Sequence, residues 1–181
     1  TIALRTQCNE QFDPENYPSF FEFITAIALN HFADEGVDIA IIETGLGGLL
    51  DATNILSPIL SIITSIGKDH TDVIGDTIEA ITREKAGIIK TDTPVLIGNL
   101  PDISKAIIKE KANELKAEYY TLENYLKTHP LPKTNLNGTY QKQNAALASY
   151  ATEILANRFP IKHTHALNQV EWKGRWQKLK L

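Results

Sequence analysis

Cysteine occurs once in these 181 residues, at Cys8, and methionine does not occur at all. One thiol cannot form an internal disulfide, so the composition fits a reducing compartment. No histidine stands near Cys8 in sequence, and it reads as a small packed or exposed thiol. No apolar run approaches the ~20 residues that a membrane-spanning helix needs. Residues 1–5 hold no hydrophobic stretch of secretory length. Positive charge is also in short supply: 18 Lys and Arg stand against 22 Asp and Glu, a net charge of −4. That balance weighs against a nucleic-acid partner, whose binding domains are usually basic on one face. Two nucleotide motifs are missing as well. Gly67-Lys68 is followed by Asp69, with Ile62 at the place of a first glycine, so there is no G-x-x-x-x-G-K-[ST] loop. G-x-G-x-x-G fails because Leu50 stands at its third glycine. Internal repeats and low-complexity tracts are absent. These absences leave a cytoplasmic protein with no membrane and no nucleic-acid partner. The chain begins at Thr1 rather than Met, which marks it as a piece of something longer.

What is present is ordinary globular material, 43% hydrophobic and 22% charged, enough for one sizeable α/β domain. Residues 1–18 are polar, carry Pro14 and Pro18, and form a leading segment. Ser19 and Glu22 are spaced as a capping box, opening a helix to about Ala33 with Phe20, Phe23, Ile24, Ile27, Ala28 and Phe32 on its inner face. Phe21 lies off that stripe, and Gly36 closes the helix. Residues 37–43 and 59–66 are short, β-branched and nearly all apolar, as strands buried on both faces are. A helix follows over 77–86, stopped by Gly87, then a strand over 93–98 and a helix over 103–116. The inner face of that helix holds Ile103, Ile107, Ala112 and Leu115. Residues 117–120 form a further strand and 121–142 an irregular loop. Residues 144–158 form a last helix, with Leu147, Tyr150, Ala151 and Ile154 inward. Strands alternating with helices predict an α/β fold, a mostly parallel sheet flanked by helices. The domain spans 19–170, and 171–181 form a linker.

Ligands of parallel sheets gather at the carboxyl ends of the strands, where Glu43 and His70 both stand in this reading. Glu43 ends an apolar run, and either emerges into solvent or is paired where it is buried. The glycines at 45, 47 and 48 let backbone N–H groups approach an anion closely. His70, between Asp69 and Thr71, is a metal ligand or a capping imidazole. Glu43, His70 and Asp72 together would suit magnesium or manganese. Lys85 falls at helical spacing with Ile78, Ile81 and Ile88. Its stem either packs while the ammonium reaches water, or the amine is partly buried and reactive. His163 and His165, a bare H-x-H, read as surface.

These residues fall into motifs. Glu43 to Gly48, then Asp51-Ala52-Thr53-Asn54, resembles the E-x-G-L-G-G-R-x-D-A-T-N signature of folylpolyglutamate synthases and dihydrofolate synthases. Thr64 to His70 resembles their T-S-I-x-x-D-H, and Glu84 to Lys90 their E-K-A-G-I-I-K. Leu136 to Gln141 with Asn144-Ala145-Ala146 resembles L-x-G-x-H-Q-x-x-N-A-A. Gly174-Arg175 resembles a P-G-R that leads to a C-terminal domain. The likeness runs from about residue 19 onward, in the family's order.

The resemblance implies the central ATPase domain of a Mur-type ligase. Such enzymes phosphorylate a folate carboxylate with ATP and let the amine of L-glutamate attack the acyl phosphate. By that likeness Glu43 and His70 hold magnesium, and Lys85 is the lysine that becomes a carbamate, so that Glu43, His70 and Lys85 form the catalytic group. Asn144 lies by the adenine of ATP, and Arg175 reaches its phosphates. Phe21, Asp51 and Thr53 border the folate or dihydropteroate. The sequence departs from the family at Leu49, where arginine is usual, at Tyr140 in place of histidine and at Lys173 in place of proline. No G-K-[ST] loop precedes Glu43 and no glutamate-binding domain follows Arg175. The expectation is therefore a fragment, inactive alone and monomeric at full length. A peptidoglycan-type amino-acid ligase, a non-catalytic nucleotide-binding fragment and a metal-dependent hydrolase are the alternatives.

Overall fold

The computed structural model describes residues 6, 9–67, 75–160, 165–170 and 172. They belong to two compact units, Thr1–Leu56 and Ser57–Leu181.

The first unit is built on helix α1, Phe20–Asp34. Its start is the predicted capping box: the Glu22 amide donates to Ser19 Oγ at 3.3 Å, and the Ser19 amide to Glu22 Oε2 at 2.8 Å. Its end is the predicted glycine stop. Gly36 N–H bonds to the Ala33 carbonyl and Val37 N–H to that of Phe32, the paired bonds of a Schellman motif. The predicted inner face needs correction. Thr25 is the buried residue of α1, whereas Phe20 is 80% exposed and Ile24 is also exposed. Periodicity tells which stripe is apolar, not how much of it a neighbour covers, and here the 3₁₀ turn Ala52–Ile55 packs on the helix. The predicted strand over 37–43 is also not formed. β-Branched content suits a pleated surface, but a strand exists through its ladder. Among the described residues this segment pairs with none, and Ile41 is 93% exposed.

The second unit holds the sheet. Strands β1 (Ser61–Ile63), β2 (Val95–Ile97) and β3 (Tyr119–Thr121) are parallel and lie in that order, with Ile62 opposite Leu96 and Leu96 opposite Tyr120. Helix α2 (Ile78–Ala86) joins the first pair of strands, and α3 (Asp102–Glu114) joins the second. Side chains alternate across the central strand. Val95 and Ile97 enter a core with Ile63, Ile81, Ile89 and Ile108, whereas Leu96 enters another with Leu122, Tyr125, Ala146 and Leu147. Each fully buried aliphatic side chain of this kind is worth ~1.5–3 kcal/mol. Helices therefore cover both faces: α2 and α3 on one, and α4 (Leu122–Tyr125) with α5 (Thr139–Leu155) on the other. This is the predicted parallel sheet flanked by helices.

Three details differ from expectation. In α3 the buried stripe is Ser104, Ile107, Ile108 and Ala112, and Ile103 is 46% exposed. A polar residue enters the stripe because the hydroxyls of Ser104 and Thr82 bond to each other at 2.8 Å inside the α2–α3 contact. The loop reading of 121–142 misses α4, which Thr121 caps by accepting the Asn124 N–H. The last helix begins at Thr139 rather than 144 and ends at Leu155. No helix of the described residues is long and apolar enough to cross a membrane.

Candidate functional site

The motif residues fold into one turn within the first unit. Asp51 lies just before the 3₁₀ turn Ala52–Ile55, and its carboxylate collects four hydrogen bonds. Oδ2 accepts the N–H groups of Gly45 at 2.8 Å and Leu46 at 3.0 Å. Oδ1 accepts the Thr53 N–H at 2.9 Å and the Thr53 hydroxyl at 2.5 Å. Asn54 closes the same loop, its Nδ2 donating to the Leu49 carbonyl at 2.8 Å. Partial burial would on its own raise the Asp51 pKa, but the bonds from Thr53, Leu46 and Gly45 outweigh it and hold the carboxyl below the ordinary aspartate range. The sequence reading lets N–H groups at Gly45, Gly47 and Gly48 approach an anion; in the structure the N–H groups of Gly45 and Leu46 hold the chain's own Asp51 carboxylate.

The other side of Gly45 is covered by Phe21. A Cβ on Gly45 would stand 2.5 Å from the Phe21 ring, so only glycine lets the ring lie against the turn. Phe21 is itself 43% exposed. Phe21, Gly45, Asp51 and Thr53 are thus brought together. The part played by Asn54 was missed. Its signal was available, since an amide just after Asp51 and Thr53 is a natural loop-closing donor.

Glu43 is exposed, two residues before Gly45. Among the described residues no group of three His, Cys, Asp or Glu side chains is arranged to hold a metal. Magnesium asks less of a protein: it is usually held by one or two carboxylates together with phosphates and waters. An exposed carboxylate beside a glycine turn fits that donor set. His70, Asp72 and Arg175 lie outside the described residues, as does Cys8, so the predicted meeting of Glu43 with His70 remains an expectation.

In the second unit Lys85 is partly covered. It follows Ile81 by one helical turn and adjoins buried Ala86, so it flanks the inner stripe of α2 rather than standing fully in solvent. The carboxyl end of the sheet is tight. Any side chain at Gly98 would collide with the Thr64 backbone carbonyl, 2.0 Å from the Cβ position. Beyond Gly98, an open groove of about 290 Å³ is lined by Asn99, Leu122, Glu123, Leu126, Lys127 and Gln143. Asn144, next to Gln143, is exposed on the first turns of α5, with its amide 3.5 Å from Gln141 Oε1.

The family model of the Mur ligase middle domain matches residues 6–167. The chain belongs to the Mur ligase family, in its folylpolyglutamate and dihydrofolate synthase branch. It is 36% identical to a dihydrofolate synthase/folylpolyglutamate synthase of Bacillus subtilis over 92% of this chain and 45% of that protein. A solved FPGS–AMPPCP complex matches with a TM-score of 0.87 at 29% identity, over 99% of this chain and 50% of that one. An FPGS–AMPPCP–folate complex matches with a TM-score of 0.84 at 28% identity, over 99% of this chain and 49% of that one. The chain thus spans about half the length of the relatives it matches. These relatives are folate ligases, and the peptidoglycan-type alternative is not favoured.

Proposed function

We propose that the protein to which this chain belongs is an ATP-dependent ligase that joins L-glutamate to a folate or to dihydropteroate. The observation that carries this reading is the motif turn. The residues that resemble the family signature are not scattered but folded into one hydrogen-bonded unit on Asp51, with Phe21 against it. The similarity to relatives whose names state folate ligation, and to a structure holding both AMPPCP and folate, supports the same reading.

In this mechanism a folate carboxylate oxygen attacks the γ-phosphorus of ATP, forming an acyl phosphate and releasing ADP. The glutamate amine then attacks the acyl carbon, phosphate leaves with the carboxylate's oxygen, and the amine gives up a proton. Glu43, with His70, would hold magnesium, which supplies neutralisation of the phosphate charge when bound. Phosphoryl transfer rests mainly on such positioning and charge neutralisation. Lys85 acts from the flank of the α2 stripe, as an ammonium or as a carbamate formed with carbon dioxide. Asn144 borders the adenine, Arg175 reaches the phosphates, and Phe21 with the Asp51–Thr53 turn borders the folate.

The test is incorporation of labelled glutamate by the protein at the length its gene encodes, with dihydropteroate and tetrahydrofolate compared. We expect product only with ATP and magnesium, and a loss of about 10²-fold or more in kcat for Lys85→Ala, the scale of removing a preorganised charged group. Glutamate incorporation that is indifferent to Lys85→Ala and Glu43→Ala would overturn the assignment.

A further inference from the structure

Asn137-Gly138 is the one Asn-Gly pair in the sequence. It lies in the loop before α5, where both residues are exposed. Asn-Gly marks a turn because its glycine accepts backbone angles that other residues avoid. Gly138 does so here, with φ at 113° and ψ at 142°, and a Cβ on it would stand 2.9 Å from the Tyr140 ring. The fold therefore asks for glycine at 138. Asn137 stands at the open position of L-x-G-x-H-Q, where the motif asks for no particular residue. Among the described residues neither the Asn137 side chain nor the Gly138 N–H makes a hydrogen bond. Asn135 gives the contrast within the same loop. It is exposed too, but its Nδ2 donates to the Val170 carbonyl at 2.8 Å, and Leu136 rather than glycine follows it.

Asparagine is a thermolabile residue, and an unpaired amide nitrogen with no side chain beside it is what lets the chain attack it. We propose that Asn137-Gly138 is a self-modification site, at which the protein converts its own asparagine to aspartate and isoaspartate. The Gly138 nitrogen gives up its proton and attacks Cγ of Asn137. The new carbon–nitrogen bond closes a succinimide ring, the bond from Cγ to Nδ2 breaks, and ammonia leaves with the proton. Water then opens the ring at either carbonyl. Opening at Cγ leaves aspartate. Opening at the main-chain carbonyl leaves isoaspartate, with the backbone routed through Cγ. Either product places a carboxylate one residue before Gly138, the N-cap of α5. That helix has no acidic residue in its first turn and no side-chain cap, so the charge arrives at an N-terminus that favours it. The site does not depend on the folate-ligase reading.

The experiment ages the protein, at the length its gene encodes, in mildly alkaline water enriched in ¹⁸O, and maps its peptides by mass. We expect the peptide holding Asn137 to exchange NH for O and to take up ¹⁸O from water. Isoaspartate should appear at 137, detected as a substrate of an isoaspartyl methyltransferase. Asn137→Gln should abolish the change, and Asn135 should stay unconverted. The folded protein should convert at a rate comparable to protein held unfolded in urea, because the loop leaves both reacting groups free. No conversion at Asn137 would overturn the proposal, and so would aspartate without isoaspartate, the product of direct hydrolysis. Conversion confined to the urea-unfolded protein would overturn it as well, since the folded loop would then be the barrier. Asn137→Asp stands for one product and reads the effect on α5. In it the amides of residues 141–143 should exchange about two- to fivefold more slowly, relative to their unfolded rates, the scale of one charge at a helix N-terminus. Unaltered exchange there would overturn the role given to the new charge.

Discussion

Gly45 shows how much one hydrogen atom decides at the residue scale. Its N–H is held by Asp51 and its α-carbon faces the Phe21 ring, so the position is constrained from both sides. In Gly45→Ala the new methyl group would meet the ring 2.5 Å away, and the ring must turn aside. A terminal ring moves more easily than backbone, so the stability loss should stay near the lower end of the ~1–3 kcal/mol seen on overpacking. Weakened folate binding should be the larger effect. Urea unfolding beside folate titration checks this, and a full loss of folding with no separate binding effect would contradict it. This pairing was only half legible in the sequence. Gly45 and Asp51 belong to a written motif, but Phe21 is 24 residues earlier, and only the fold of the first unit brings it to Gly45. The carboxylate's four bonds were hidden as well, because the glycine turn read equally well as a cradle for an outside anion.

At the element scale, α2 and α3 are fastened by a buried polar pair. Thr82 donates to the Ile78 carbonyl at 2.5 Å, so its hydroxyl accepts the proton of Ser104. Both side chains are fully buried. Thr82→Val keeps the shape and leaves the Ser104 hydroxyl without that acceptor, which should destabilise the second unit by about 1–3 kcal/mol. Adding Ser104→Ala should recover part of the loss, and a double variant less stable than Thr82→Val would contradict the account. On the opposite face of the sheet, Tyr125 stacks between His129 and Tyr150, with ring centroids 4.2 and 4.5 Å away, and donates to Glu153 Oε1 at 2.7 Å. Burial, then the bond to Glu153, pushes the Tyr125 hydroxyl up to about 12. A raised folded-state value stabilises the fold below the unfolded tyrosine value, and that contribution disappears as pH rises through about 12. Tyrosinate absorbance should show this late titration together with loss of the fold. Glu153→Gln should lower it only partway, since burial is the larger cause. Strands β1 and β2 and helix α2 were legible because their β-branched runs and the apolar period of the helix are strong. Helix α4 was not: four residues are too short for a period, and Thr121 was the only cue. Residues 37–43 misled in the other direction, since a strand-like composition cannot supply its own partner.

At the scale of the molecule, the family is read from matched motifs and the architecture from alternating strands and helices, and the two agree. The parallel sheet with helices on both faces is the part that any member of this family would share. The proposed function rests on the motif residues and not on this fold, which by itself could not have indicated folate. The central claim is that a substrate carboxylate is activated by transfer of the γ-phosphoryl group of ATP. It is tested most directly by supplying folate substrate with ¹⁸O in the reacting carboxylate, together with ATP, magnesium and glutamate, to the protein at its gene-encoded length. In an acyl-phosphate mechanism the carboxylate oxygen bonds to phosphorus and leaves with it when the amine attacks. The account predicts that ¹⁸O from that carboxylate appears in the inorganic phosphate released as glutamate is joined. Glutamylated product accompanied by unlabelled phosphate would contradict it.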